Sequence, residues 1–232
     1  MPRVEKRELR REQILEGLFE AMAREGTRGA SISEIAESAG IARGALHYYF
    51  SSKEEIRLSL MRHLGERYVR GLDAYLTRIL DEGGAPDRAV VALIRYHFGG
   101  DDEVTSRLLT VWIDFWGSAP SDDALSEVVL SVQEAARQLC WRVVVACRPE
   151  VDTDNDGARR ARAAALLALI EGALLQWRIA RTREPFDKDA LVRALTDAAR
   201  AQLAAIPLPA PSARARAEGA RSTTMEHADA AR

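Results

Sequence analysis

The stretch "SISEIAESAGIARGALHYYFSSKEEI", residues 31–56, decides the fold. Ser31 and Glu34 have the S-x-x-E spacing of a capping box, which starts a helix. Ile35, Ala36 and Ala39 give that helix one apolar face. Gly40 closes it, and Ile41 and Ala42 make a tight turn. A second short helix runs from Arg43 to Tyr49. Ser52 and Glu55 repeat the capping-box spacing and open a third, much longer helix at Lys53. Helix, glycine turn, helix is a helix-turn-helix, here residues 31–50.

The second short helix has two distinct sides. At about 100° per residue, Leu46 and Phe50 share a face and must point to a core. Gly44, His47 and Tyr48 point away, with Ala45 beside them and Arg43 at the start. A face that is small at one end and hydrogen-bonding at the other suits a DNA major groove. Tyr49 lies at the flank, where its hydroxyl reaches a phosphate. Lys53 adds a charge beside a helix N-terminus, and Ser31 stands at another, both suited to backbone contacts.

The remaining chain is read as helix throughout, about nine in all, with no alternating strand pattern. The first helix, about Val4 to Arg24, carries Ile14, Leu15, Leu18, Phe19 and Met22 as one stripe and ends at a C-cap glycine, Gly26. Later helices are expected at about 53–81, 86–98 with Pro86 in the first turn, 103–116, 122–147, 158–183 and 188–205. Residues 207–232 mix Pro, Ala, Ser and charge without apolar periodicity and are expected to be a disordered tail. The expected organisation is therefore all-α: a DNA-binding domain over 1–52, a ligand-binding and dimerisation bundle over 53–206, then the tail.

Bulk properties narrow the function. The 232 residues are 47% hydrophobic and 29% charged, ample for a core. Net charge is −2, so DNA affinity has to come from a local surface. No apolar run reaches the ~18 residues of a membrane span, and the charged N-terminus lacks a signal-peptide core, so a cytoplasmic protein without a membrane partner is expected. Cys140 and Cys147 are too far apart along a helix to pair. His47, His63, His97 and His227 show no metal-ligand spacing, and no cofactor motif is present. An enzyme is not expected, although Asp114 and Glu171 leave a carboxylate pair as an alternative.

Residues 13–58 resemble the DNA-binding domain of the TetR family of one-component bacterial repressors. Residues 31–56 fit the family pattern T-x-x-x-I-A-x-x-A-G-V-S-x-G-x-x-Y-x-Y-F-x-x-K-x-x-L without gaps. Two departures from it matter. Ala42 replaces a Ser or Thr that caps the recognition helix, and His47 replaces the helix's first Tyr. Ala is a poor N-cap, costing about 1 kcal/mol.

The resemblance implies a homodimer that binds a palindromic double-stranded DNA operator and responds to a small-molecule effector. The sequence adds its own hints. "RAAALLALIEGALLQW", residues 162–177, is apolar over much of its circumference, with Ala163, Ala164, Ala165, Ala168, Gly172 and Ala173 interspersed. The last helix has a face of Leu191, Leu195, Ala198, Ala199 and Leu203. Two such helices per chain make a four-helix interface. "TVWIDFWGSA", residues 110–119, puts Trp112, Phe115 and Trp116 on one face. With Tyr96, Phe98, Trp141 and Trp177, and Glu171, Asp114 or Glu134 in reach, these rings are candidates for a cage around a cationic effector such as a quaternary ammonium or polyamine. The W-x-x-F-W-x-S-A stretch and the A-L-I-E-G segment are similar to those of the choline-responsive, betaine-pathway branch of the family. The competing readings are rings that only fill a core and an architectural DNA binder that takes no effector; a bundle packed solid between the Trp112 and Trp177 helices would favour the latter.

Overall fold

The computed structural model describes residues 3–25, 31–83, 87–100, 102–147, 156–181 and 187–205. Gly26, Pro86 and the segment 207–232 lie outside the described residues. Nine α-helices are described: α1 Arg3–Glu25, α2 Ile32–Ser38, α3 Arg43–Tyr49, α4 Lys53–Asp81, α5 Arg88–Phe98, α6 Asp102–Ser118, α7 Asp123–Cys147, α8 Asp156–Ala180 and α9 Lys188–Ala204. A 3₁₀ turn, Ala119–Ser121, joins α6 to α7. There is no strand among the described residues.

The start and stop signals act as chemistry requires. Ser31 Oγ accepts from Glu34 N at 3.2 Å, and the Glu34 carboxylate accepts from Ser31 N at 2.6 Å, a complete capping box. Gly40 turns the chain with φ +63, where a side chain would be strained. The expected box at Ser52 forms only by half. Ser52 Oγ accepts from Glu55 N at 3.0 Å. The Glu55 carboxylate goes instead to Ser51, accepting from its N–H and its hydroxyl, each at 2.7 Å.

Two hydrophobic cores result, and α4 passes through both. The first core gathers Ile14, Leu18 and Met22 of α1, Ile35 of α2, Leu46 and Phe50 of the α3 end, and Ile56, Leu60 and Met61 of α4. It does not close at residue 52: Val111 and Phe115 of α6 and Leu125, Val128 and Val129 of α7 belong to it. The second core holds Leu72 and Leu76 of α4 with the apolar sides of α5, α7, α8 and α9.

α8 is apolar over much of its length. Arg160–Ala180 is long and apolar enough, by length and composition, to cross a membrane. Its apolarity has another source. Leu166, Leu167, Ile170, Leu174 and Trp177 are buried in the second core. The other side exposes Ala161, Ala165, Ala168, Gly172, Leu175 and Ile179 at steps of three and four residues.

Gly17 shows how tightly the head is packed. A Cβ there would lie 2.8 Å from Ala39 N and 2.9 Å from Ile35 O. Backbone cannot yield as a side-chain end can. Gly17→Ala is expected to cost about 1–3 kcal/mol by forcing α1 from α2. A Cβ on Gly44 meets nothing within 4 Å, so Gly44→Ala should leave stability unchanged or raise it. Thermal melts of the two variants check the contrast.

Candidate DNA-reading surface and effector cavity

α3 presents the two faces that its spacing requires. Leu46 and Phe50 are 1% and 3% exposed, while Tyr48 is 64% exposed. Arg43, Gly44 and His47 are exposed and Ala45 half-buried. Tyr49 is half-buried and sets its ring edge-on to Tyr48, with centroids 5.1 Å apart. Ser31 is exposed and Lys53 half-buried. Ala42 sits at the N-cap with φ −67 and ψ 138 and supplies no side-chain bond.

The far end of α3 is held from α1. Arg11 donates to the Tyr49 carbonyl, and its guanidinium lies 4.0 Å over the Phe50 ring. It also pairs with Glu55 at 3.6 Å. The Ser51 donors and the Arg11 charge hold the Glu55 carboxyl below the usual carboxylate range. Sequence reading missed Arg11, because nothing in its spacing marks a contact 38 residues away.

A cavity of about 590 Å³ lies where the two cores meet. Its walls include Tyr68 of α4, Tyr96 and His97 of α5, Trp112 and Trp116 of α6, and Glu171 of α8. Ring centroids lie 6.1 Å apart for Tyr68 and Trp112, 6.1 Å for Trp112 and Trp116, and 6.2 Å for Tyr68 and Tyr96. His97 donates from Nδ1 to the Leu93 carbonyl at 2.8 Å, which leaves Nε2 to accept the Tyr68 hydroxyl at 2.9 Å. Burial lowers His97 to about 4, so it stays neutral, and burial raises Tyr68. Burial also raises Glu171 to about 7, against the opposing charge of Arg137. Charged side chains line it too: Arg107, which binds Glu20, with Glu16 and Arg67.

Tyr96, Trp112, Trp116 and Glu171 therefore meet at one cavity, and four other candidate rings do not. Phe115 is fully buried in the first core, beneath the Arg57 guanidinium. Phe98 and Trp177 are 3% and 2% exposed in the second core. Trp141 packs against that core from outside. Of the carboxylates, Glu134 pairs with Arg137 on the same helix, and neither it nor Asp114 lines the cavity. Tyr68 and His97 also line the cavity and were not marked by the sequence, since each reaches it through packing between helices that spacing does not show.

Residues 14–60 match the family described as bacterial regulatory proteins, tetR family. Residues 86–204 match that described as BetI-type transcriptional repressor, C-terminal. The chain belongs to the TetR family, with a BetI-type C-terminal domain. It is 30% identical over 190 residues to the HTH-type transcriptional regulator BetI of Escherichia coli, covering 81% of this chain and 91% of that one. It is 28% identical over 205 residues to BetI of Pseudomonas paraeruginosa, covering 88% and 98%. Among solved structures, a transcriptional regulator from Rhodococcus sp. is similar at TM-score 0.66 and 28% identity, covering 84% of this chain and 95% of that one. A regulator from Saccharomonospora viridis in complex with choline shares the fold at TM-score 0.65 and 22% identity, covering 81% and 93%.

As a TetR-family member the chain is a ligand-responsive, DNA-binding transcriptional regulator and not an enzyme. Its departure at Ala42 leaves the start of α3 without a side-chain cap. Ala42→Ser places a hydroxyl at an extended N-cap that has none, and is expected to stabilise the head by about 1 kcal/mol in denaturant melts.

Proposed function

We propose that this TetR-family chain is a homodimeric repressor whose effector is a small organic cation held in the cavity between the two cores. The observation that carries the effector is the wall itself: Tyr68, Tyr96, Trp112 and Trp116 line the space together with the Glu171 carboxylate, while Glu20, also on the wall, is paired with Arg107, and Glu16 lies one turn before it on α1. Aromatic faces attract a cation that cannot hydrogen-bond, and the carboxylate balances its charge. An open cavity between the Trp112 and Trp177 helices counts against an architectural protein that takes no effector. The choline seen in the S. viridis regulator makes a trimethylammonium head the first candidate.

Reading falls to residues 1–52. Arg43, Gly44, Ala45, His47 and Tyr48 meet base edges, while Ser31, Tyr49 and Lys53 hold phosphates. Effector binding and pairing fall to residues 53–206. The partner subunit covers the exposed small-residue side of α8, where Leu175 is 40% and Ile179 63% exposed, together with α9. Pairing there sets two α3 helices toward successive major grooves of a palindromic operator, about 34–36 Å apart or a multiple of it. The effector then favours a state of the dimer with the wrong spacing. The cytoplasm, where the DNA lies, is the working compartment.

Two outcomes test this reading. Tyr48→Ala should abolish operator binding in gel shifts while light scattering still reports a dimer; unchanged affinity overturns the assignment of α3. The cation should bind about tenfold more tightly at pH 8 than at pH 6. Below about 7 the Glu171 carboxyl is protonated, and a bound cation must expel that proton. Calorimetry with choline reads this directly, and Glu171→Gln should remove the pH dependence.

A further inference from the structure

α1 is longer than its core requires. Residues 5–10 are all exposed, and the first buried side chain after them is Ile14. Those outer turns are strongly charged, and the charges are sorted. At about 100° per residue, Lys6, Arg7 and Arg10 lie on one side of α1, and Glu5, Glu8 and Glu12 lie on the roughly opposite side. Neither Lys6 nor Arg7 is ion-paired among the described residues, and Arg10 donates only to Gln13 at 2.7 Å.

The two sides lead to different places. The basic side continues that of Gly17, which packs on Ile35 and Ala39 of α2, while Arg11, on the buried stripe between the two sides, holds Tyr49 and Phe50. The acidic side continues through Glu16 and Phe19, which face α6 and the cavity. Arg10 therefore stands next to the residue that meets the α3 end, and Arg7 and Lys6 a little over one turn beyond it, on the side of α1 that packs on α2 of the helix-turn-helix. A charge pattern made only for solubility has no reason to separate by sign along this axis.

We propose that Lys6, Arg7 and Arg10 form a phosphate-binding stripe that extends each half-site contact along the DNA backbone, outside the bases read by α3. The occupant is duplex DNA, argued from charge complementarity and from continuity with the side of α1 that packs on the helix-turn-helix; the inference rests on α3 being the reading helix. The stripe supplies affinity without sequence information, since phosphates are the same at every step. It also gives a chain of net charge −2 the local positive surface that binding DNA demands.

The test uses the full chain and a duplex selected by it from a random-sequence pool. Affinity is measured against salt for wild type, for the triple variant Lys6→Gln, Arg7→Gln, Arg10→Gln, and for Tyr48→Ala. Each lost phosphate contact should flatten the log–log salt slope by about 0.9, hence by up to about 5 for three residues in two protomers. The triple variant should keep the wild-type preference for the selected duplex over a scrambled one of equal length, and its hydroxyl-radical footprint should shorten at both outer edges. All three residues are exposed, so a wild-type melting temperature is expected. An unchanged slope and footprint, with Tyr48→Ala still inactive, overturns the stripe and leaves the α3 assignment standing. A Tyr48→Ala chain that binds normally overturns that assignment instead. A Glu5→Gln, Glu8→Gln variant that flattens the slope as much would also overturn the stripe.

Discussion

Everything in this molecule depends on α4 having its apolar side chains in two cores at once. Ile56, Leu60 and Met61 are locked among α1, α2 and α6, while Leu72 and Leu76 are locked among α5, α7, α8 and α9. A helix cannot bend cheaply without breaking its own hydrogen bonds. A change in how the second core sits is therefore carried to the first as a change of angle. The cavity lies at the crossing, and its aromatic lining is drawn from both sides.

α6 makes that division less simple than a reading head on a lever. Its Val111 and Phe115 are fully buried in the head core, whereas the partly buried Trp112 and Trp116 line the cavity. Arg107, on the same helix, pairs with Glu20 of α1 and lies 5.5 Å over the Phe19 ring. A molecule in the cavity thus pushes on a helix that is already part of the head. Under the proposed function, the route from effector to DNA is a matter of packing, with no need for a separate relay.

Local rules written in the sequence carried most of this. The limits of α3 follow from Gly40, Ala42 and Phe50, and its two faces follow from the angle between Leu46 and Tyr48. Long-range contacts obey no such local rule. The ring set 112, 115 and 116 shares one helical face by spacing, yet Phe115 turned to the head core and only the tryptophans to the cavity. A helix packed on two sides divides one stripe between two neighbours, and spacing alone does not say where. The second capping box failed for a related reason: Ser51 offered Glu55 two donors, a better site than the single N–H of Ser52. Tyr68, His97 and Arg11 needed the tertiary structure, since each acts through a partner on another helix.

The double allegiance of the cavity wall also governs how such a protein can diverge. Phe19, Trp112 and Trp116 pack against the head core, so replacing them disturbs the fold that holds α3. Tyr96, His97 and Glu171 belong to the bundle, away from α3. Under the proposed function, selection for a new chemical signal therefore has one permissive wall and one conservative wall. Descendants can learn a different molecule from the bundle side while keeping the same genomic address.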